Sequence, residues 1–282
     1  MLAERHILQG RQMRESELSH KPVVLKIGGS AITFKEKPLT PNLRVMKRLA
    51  REISKARISK LLIVHGGGSF GHPIAKEYAI NEGFKTKEQN IGFCWTHSAM
   101  VTLNSLFVNT LIQRDIPAIG IAPSSCILTK HGRIYVFDDK ALTKFFEKDF
   151  IPVLYGDAVI DVAKGFSILS GDQLVSNLAL KFEAERIIMG VDVDGVYTAD
   201  PKKHSSASLI PQLTLKELKK MYKNLGDAGT VDVTGGMLGK IKELIPAIRE
   251  GITVSIVNAT KSNRVYKALK NERVVGTYIQ KG

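Results

Sequence analysis

LLIVHGGGSFGHPI, residues 61–74, carries an apolar run straight into three consecutive glycines, then Ser69, Phe70, Gly71, His72 and a proline. The run has the look of a buried strand, and the glycines let the backbone turn through positive φ and approach a ligand closely. A helix opening after them aims its unpaired N–H groups and the positive end of its dipole at the same point. Such a junction suits an anion, most often a phosphate. Pro73 fits the first helical position, where a missing N–H costs nothing, and this places His72 at the N-cap. A tight turn without a ligand is the plainer alternative, although three glycines in a row carry an entropic cost.

Gly66, Gly68 and Gly71 also match G-x-G-x-x-G, the dinucleotide-binding fingerprint. That fingerprint needs a second strand about 20 residues on, ending in an acid for the ribose. The chain there reads NEGFKTKEQNIGFCWTHSAM, with no β run before Glu88 and a helix-like pattern after Thr96. A nicotinamide or flavin enzyme is therefore disfavoured.

Working outward, short apolar strands alternate with amphipathic helices from Pro22 onward. Strands are predicted at 23–29, 61–65, 117–122, 152–157, 186–197, 252–259 and 274–279, with a hairpin at 130–138. Helices are predicted near 41–57, 73–80, 96–114, 170–182, 214–223 and 236–250. The alternation implies an α/β fold with a mostly parallel sheet covered on both faces. Ligands on such sheets sit at the carboxyl ends of the strands. Lys26–Ser30, His65–His72, Gly156–Asp157 and Asp192–Asp194 all fall at such ends.

Composition sets the outer limits. The chain has 282 residues, 44% of them apolar, enough for one large α/β domain or two lobes. No apolar run approaches the ~18 residues of a membrane span, and no signal-peptide core opens the chain, so a cytoplasmic protein is expected. Cys94 and Cys126 lack metal-ligand spacing and read as reduced, buried thiols. The net charge of +14 comes without a nucleic-acid motif and with only 7% aromatics, so it implies a basic surface that draws polyanionic small molecules instead of nucleic acid. Residues 1–21 are polar, carry both charge signs and read as an appended arm.

The strand-end edge gathers cations. KIGGS (26–30) supplies Lys26 and a second glycine turn, Lys35 follows just past it, and Lys240 closes TGGMLGK (234–240). Three lysines and two glycine turns describe a site for more than one phosphate, as phosphoryl transfer requires. No G-x-x-x-x-G-K-[ST] is present, which excludes Walker-type ATPases, and the protein-kinase motif set is absent too. Each residue also has a plainer reading. Lys26 would be an edge residue paired with Asp172, Lys35 a solvated loop charge, and Asp172 or His72 a helix cap. His97 beside Trp95 is expected to pack instead of reacting, and Asp192, Asp194 and Asp200 to form turns.

At these residues the chain resembles a known family. KIGGS, HGGGSFGH, SGDQL (170–174), GVDVDGVYTADP (190–201) and GGMLGK (235–240) are similar to the amino-acid kinase superfamily. GHPIAKEY (71–78) and GFCWTHSAMVTLN (92–104) bring it nearest to the isopentenyl phosphate kinases, within the phosphate-recognising branch that also holds fosfomycin kinases. The resemblance spans 22–282, and the charged N-terminal arm departs from the family's usual start.

The resemblance implies a three-layer αβα sandwich, usually homodimeric, with a phosphate-acceptor lobe (22–165) and a nucleotide lobe (166–282) on one open sheet. Gly67, His72 and Gly171 would hold the acceptor phosphate. Lys26, Gly28, Gly29, Ser30 and Gly68 would line the ATP phosphates, with Asp192, Gly236 and Lys240 at the nucleotide end. Lys26, Lys35 and Lys240 would neutralise the moving phosphoryl group, and Asp172 would hold the lysines. The implied reaction is ATP-dependent phosphorylation of isopentenyl phosphate for isoprenoid synthesis, with Mg2+ on the ATP and no dedicated carboxylate cage for it. Alternatives are a related kinase for a phosphonate or an amino-acid carboxylate, or a non-catalytic nucleotide- or oxyanion-binding protein. Ile80, Phe84, Ile91, Phe93 and Met100 would enclose a short apolar tail or serve as ordinary core; both readings stay open.

Overall fold

Val23–Ile27 forms β1, and all five of its residues are buried. It is followed by α1 (Gly29–Ile32), α2 (Leu43–Ala56), β2 (Leu61–His65), α3 (Gly68–Glu77) and the long α4 (Glu88–Ile112). Then come β3 (Ala118–Gly120), β4 (Ile127–Lys130), β5 (Arg133–Phe137), α5 (Lys140–Glu147), β6 (Ile151–Tyr155), β7 (Asp157–Asp161) and β8 (Gly165–Leu169). The remainder comprises α6 (Gly171–Lys181), β9 (Arg186–Val191), β10 (Val196–Tyr197), β11 (Leu209–Ile210), β12 (Gln212–Thr214), α7 (Leu215–Ala228), α8 (Met237–Arg249), β13 (Thr253–Asn258), α9 (Arg264–Leu269) and β14 (Gly276–Gln280). This computed structural model describes residues 21–201, 203–228 and 236–282. The N-terminal arm up to His20, and Thr234 and Gly235 of the last glycine motif, lie outside the described residues.

Eight strands make the main sheet in the order β12-β14-β13-β9-β1-β2-β6-β3. Every pairing in it is parallel except β13 with β14. β1 is therefore a central strand, so Lys26 is not the edge residue of its plainer reading. A smaller sheet, β5-β4-β7-β8, stands beside it.

Strand periodicity assigns the faces. Val23, Leu25 and Ile27 point into a core with α2, α4 and α9, while Val24 points into one with α6, α7 and α8. Two helical layers sandwich the sheet, as burial on both sides of a parallel sheet requires. The same alternation turns Lys26 toward the α6 face. Helix α2 shows how sequence makes the layers. Met46, Leu49, Ile53 and Ala56 recur at helical spacing and are buried, Asn42 caps the start by accepting from Val45 N (3.2 Å), and Arg57 ends it at positive φ.

Helix starts differ from the expectation in two places. Helix α3 begins at Gly68, so Pro73 is inside it and His72 is not its N-cap. The cap is Gly67, because the glycine turn itself winds into the first helical turn. Helix α4 begins at Glu88, eight residues before the apolar pattern. The Gln89 side chain holds its entry by accepting from Lys85 N (2.7 Å) and Thr86 N (3.1 Å). The β7–β8 hairpin, α5 and α9 were not foreseen, and Cys94 is exposed on α4 and Cys126 half-buried where both were expected to be buried.

Candidate active site

Two glycine turns at the ends of neighbouring strands touch each other. Gly28 N donates to Gly190 O (2.7 Å), and Gly66 N donates to Ile27 O (2.9 Å). A Cβ on Gly29 would overlap the Gly68 backbone and lie 2.9 Å from the Gly66 carbonyl carbon. Gly68 itself has φ +51, and these constraints admit only glycine at both places. Thr33 staples the turns: its hydroxyl donates to Gly29 O (2.9 Å) and accepts from Ser69 N (3.0 Å). His65 completes the support. Burial lowers its pKa to about 4, so the neutral ring donates through Nδ1 to Gly66 O (3.2 Å) and accepts from the Asn104 amide at Nε2 (3.1 Å). Ser69 Oγ, in the first turn of α3, is buried and has no hydrogen-bond partner among the described residues.

A third turn closes on these two. Gly156 N donates to His65 O (3.1 Å), and a Cβ on Gly171 would meet His65 O at 3.4 Å. Ser170, not Asp172, caps α6 by accepting from Gln173 N (3.1 Å). This frees the Asp172 carboxylate for the lysines. Lys26 Nζ donates to Asp172 Oδ1 at 2.8 Å, and Lys240 Nζ donates to Oδ2 at 3.4 Å. Burial lowers the Lys26 pKa, and Lys240 adds to this, while Asp172 and Asp192 pull the other way. Burial pushes Asp172 up, but the two ammonium groups outweigh it and hold the carboxyl below its usual range. A buried ion of either kind without its partner would be strongly unfavourable.

His72 belongs to the same electrostatic cluster. Desolvation lowers its pKa first, then the charges of Lys240 and Lys26, with Asp172 opposing. Residues 240, 172, 72 and 26 thus sense one another across four chain segments. Gly236 caps α8 at φ +83 and sets Lys240 one turn along. Ser30 is half-buried in α1 beside Gly28. Lys35 is exposed, in a turn tethered by Leu39 N to Ser69 O (3.1 Å), and it does not join the Lys26–Asp172–Lys240 cluster.

Sequence reasoning missed two supports. Gln173 accepts from Ile134 N (2.6 Å) and donates to Gly132 O (3.1 Å), binding the β4–β5 hairpin to the start of α6. Arg133 pairs with Glu243 (2.7 Å), binding the same hairpin to α8. Nothing in the local pattern marks these long-range bonds. His97, expected to pack, also has a partner that sequence did not mark: its Nδ1 lies 3.1 Å from Asp157 Oδ2.

The amino acid kinase family profile matches residues 21–258. The isopentenyl phosphate kinase of Methanothermobacter thermautotrophicus is 40% identical, over 91% of this chain and 98% of its own length. The chain belongs to the amino acid kinase family, in its isopentenyl phosphate kinase branch. The Methanocaldococcus jannaschii isopentenyl phosphate kinase is 36% identical over 91% of this chain and 97% of its own. Crystal structures of an isopentenyl phosphate kinase superpose with a TM-score of 0.82 at 37% identity, covering 92% of this chain and 99% of theirs. The family's kinase chemistry accords with the paired lysines and joined glycine turns, and its fold is the three-layer sandwich described above.

Proposed function

We propose that this protein transfers the γ-phosphoryl group of ATP to isopentenyl phosphate, giving isopentenyl diphosphate and ADP. The observation that carries this is the Lys26–Asp172–Lys240 cluster, electrostatically coupled to His72 beside two touching glycine turns. An oxygen of the acceptor phosphate attacks the γ-phosphorus in line, and the bond to the β–γ bridging oxygen breaks, leaving its electron pair on ADP. A phosphate dianion needs no base to attack, and the cluster offers none: Asp172 is held between two lysines. What the reaction does need is neutralisation of two approaching anions by fixed charges.

In this reading Gly67, Gly171 and His72 hold the acceptor phosphate. Gly28, Gly29, Ser30 and Gly68 line the ATP phosphates, and Asp192 and Gly236 meet the nucleotide end. Lys26 and Lys240 meet the moving group, joined by Lys35 from its exposed turn. Residues 22–165 then form the acceptor lobe and 166–282 the nucleotide lobe. Among the described residues no group of three or more His, Cys, Asp or Glu side chains is placed to hold a metal ion. In this reading Mg2+ would enter with the nucleotide and neutralise its phosphate oxygens. The buried cluster of Ile80, Ala158 and Phe166, flanked by Phe93 and Ile168, suits an apolar tail.

A homodimer is part of the proposal. Ile91, Trp95, Val101 and Ile112 are exposed on α4, beside the open edge strand β3, and light scattering of the purified protein tests it. The reaction is tested by ADP release with isopentenyl phosphate, fosfomycin, N-acetylglutamate and UMP. Turnover on a carboxylate alone would reject a phosphate acceptor. His72→Ala is expected to raise the acceptor KM far more than the ATP KM; an unchanged acceptor KM would make His72 only a helix residue.

A further inference from the structure

One face of α4 runs along the acceptor side of the cleft. Residues 104, 100, 97 and 93 share that face at helical spacing. The Asn104 amide bonds His65 at the end of β2. Met100 packs on the glycine loop, where a Cβ on Gly67 or Gly71 would fall 3.0 or 2.8 Å from its sulfur. Phe93 meets Phe166 of the apolar cluster, with ring centroids 5.7 Å apart. His97 therefore sits between the phosphate loop and the apolar cluster.

Its surroundings are built. Nδ1 lies 3.1 Å from both Asp157 oxygens and 3.3 Å from Ser124 Oγ. The Asp157 side chain is fully buried, whereas that of His97 is 32% exposed. Asp157 also accepts from Ala158 N (2.9 Å) and Ser124 N (3.3 Å), and its neighbour Gly156 abuts Gly171 N, 3.3 Å from a Cβ placed there. Ser124 and Asp157 share one ring nitrogen, so the trio is no hydrolytic triad, which needs them on opposite nitrogens. Nε2 has no partner among the described residues.

We propose that His97 is a further acceptor-recognition residue: an imidazolium held by Asp157, whose Nε2–H donates to the anionic head of the phosphate acceptor alongside His72. This rests on the phosphate-acceptor reading above. The Asp157 hydrogen bond and charge raise the His97 pKa, and partial burial opposes them. Cys126 and Tyr155, which face the same Asp157, are pushed up by burial, Cys126 to about 11, and stay neutral. The charge on His97 thus persists above its ordinary pH range and is lost as pH rises further.

The test uses the full chain, with steady-state kinetics for both substrates and calorimetric titration of isopentenyl phosphate from about pH 6 to about pH 9. His97→Gln is expected to raise acceptor KM and Kd about tenfold or more, with the ATP KM within about twofold. It should also remove the alkaline fall specific to the acceptor. Asp157→Asn should show the same acceptor loss at neutral pH, regained on acidification as the ring takes up its proton; a merely structural pair would show no such rescue. A folded His97→Gln enzyme with wild-type acceptor KM, or with equal losses for both substrates, overturns the proposal. If His97→Gln does not fold, the acid rescue of Asp157→Asn decides alone. Binding without turnover by the wild type would reject the kinase reading yet leave the titration to judge His97. Neither binding nor turnover would end both.

Discussion

Asp161 and Asp172 are both carboxylates sunk into the fold, and they are satisfied in opposite ways. Asp161 accepts from four backbone N–H groups, those of His131 (3.1 Å), Gly132 (2.7 Å), Ala163 (3.0 Å) and Lys164 (3.1 Å), and from the Thr129 hydroxyl (2.9 Å). Asp172 holds two ammonium groups, one on each oxygen. The first arrangement is closed: its donors are fixed dipoles with nowhere else to turn. The second is open, because each ammonium has three donors and gives Asp172 only one. The difference separates a carboxylate that builds the molecule from one that, in the proposed function, poises cations for a ligand.

The sharpest way to break that contrast is to remove a cation. Lys26→Ala is expected to lower kcat at least ~100-fold, the scale for one preorganised charge at a reacting phosphoryl group. A loss under about tenfold, read from initial rates at saturating substrates, would return Lys26 to a structural role. Asp172→Asn should cost roughly 10- to 100-fold in kcat, through misplaced lysines. It carries a second signature. Asp172 is the main influence raising the Lys26 pKa against burial, so without it that pKa falls further. The alkaline decline of kcat should then begin at lower pH than in the wild type. A decline at unchanged pH would show that Lys26 does not set it.

The opposite result is expected at Asp161. Burial pushes its pKa up, but the backbone and hydroxyl donors outweigh it, and the net shift is downward. A depressed carboxylate adds stability above its unfolded value of about 3.9 and loses it as pH falls through that value toward the folded one. Asp161→Asn should lower unfolding free energy by about 2–3 kcal/mol at neutral pH, measured in urea, and flatten the acid side of the stability curve. Its kcat should stay within about twofold of wild type. A large kcat loss with intact stability would erase the distinction between the two acids.

The same contrast explains what was legible in the sequence. Lys26, the glycine turns and SGDQL stood out because a lysine amid Val, Leu and Ile, or three glycines in a row, violates the local pattern. Alternating strands and helices announced a parallel sheet for the same local reason. Asp161 and Gln173 gave no such signal. Much of their value lies in bonds to residues 29 to 41 positions away in sequence, and no periodicity encodes that. The His97–Asp157 contact was hidden for the same reason, its partners being 60 residues apart. The start of α3 was misplaced because Pro73 was taken as a first-position signal, whereas the Gly67–Gly68 turn had already begun the helix.

That proline has a consequence of its own. Inside a helix Pro73 cannot donate to the carbonyl four residues back, which is Ser69 O. Leu39 N takes the vacated acceptor at 3.1 Å, anchoring the turn that carries Lys35 to the glycine loop. Pro73→Ala would restore the helical donor in competition with Leu39. The helix should gain, since an interior proline costs up to ~3 kcal/mol relative to alanine, while the Lys35 turn loses its tether. The expected outcome is a higher melting temperature together with a kcat lower by roughly two- to fivefold, a small positional error at one of three cations. A stabilised enzyme at full kcat would mean that Lys35 works without this anchor, or does not work at all. Lys35→Ala measured beside it separates the two, because only an idle Lys35 leaves kcat unchanged in both variants.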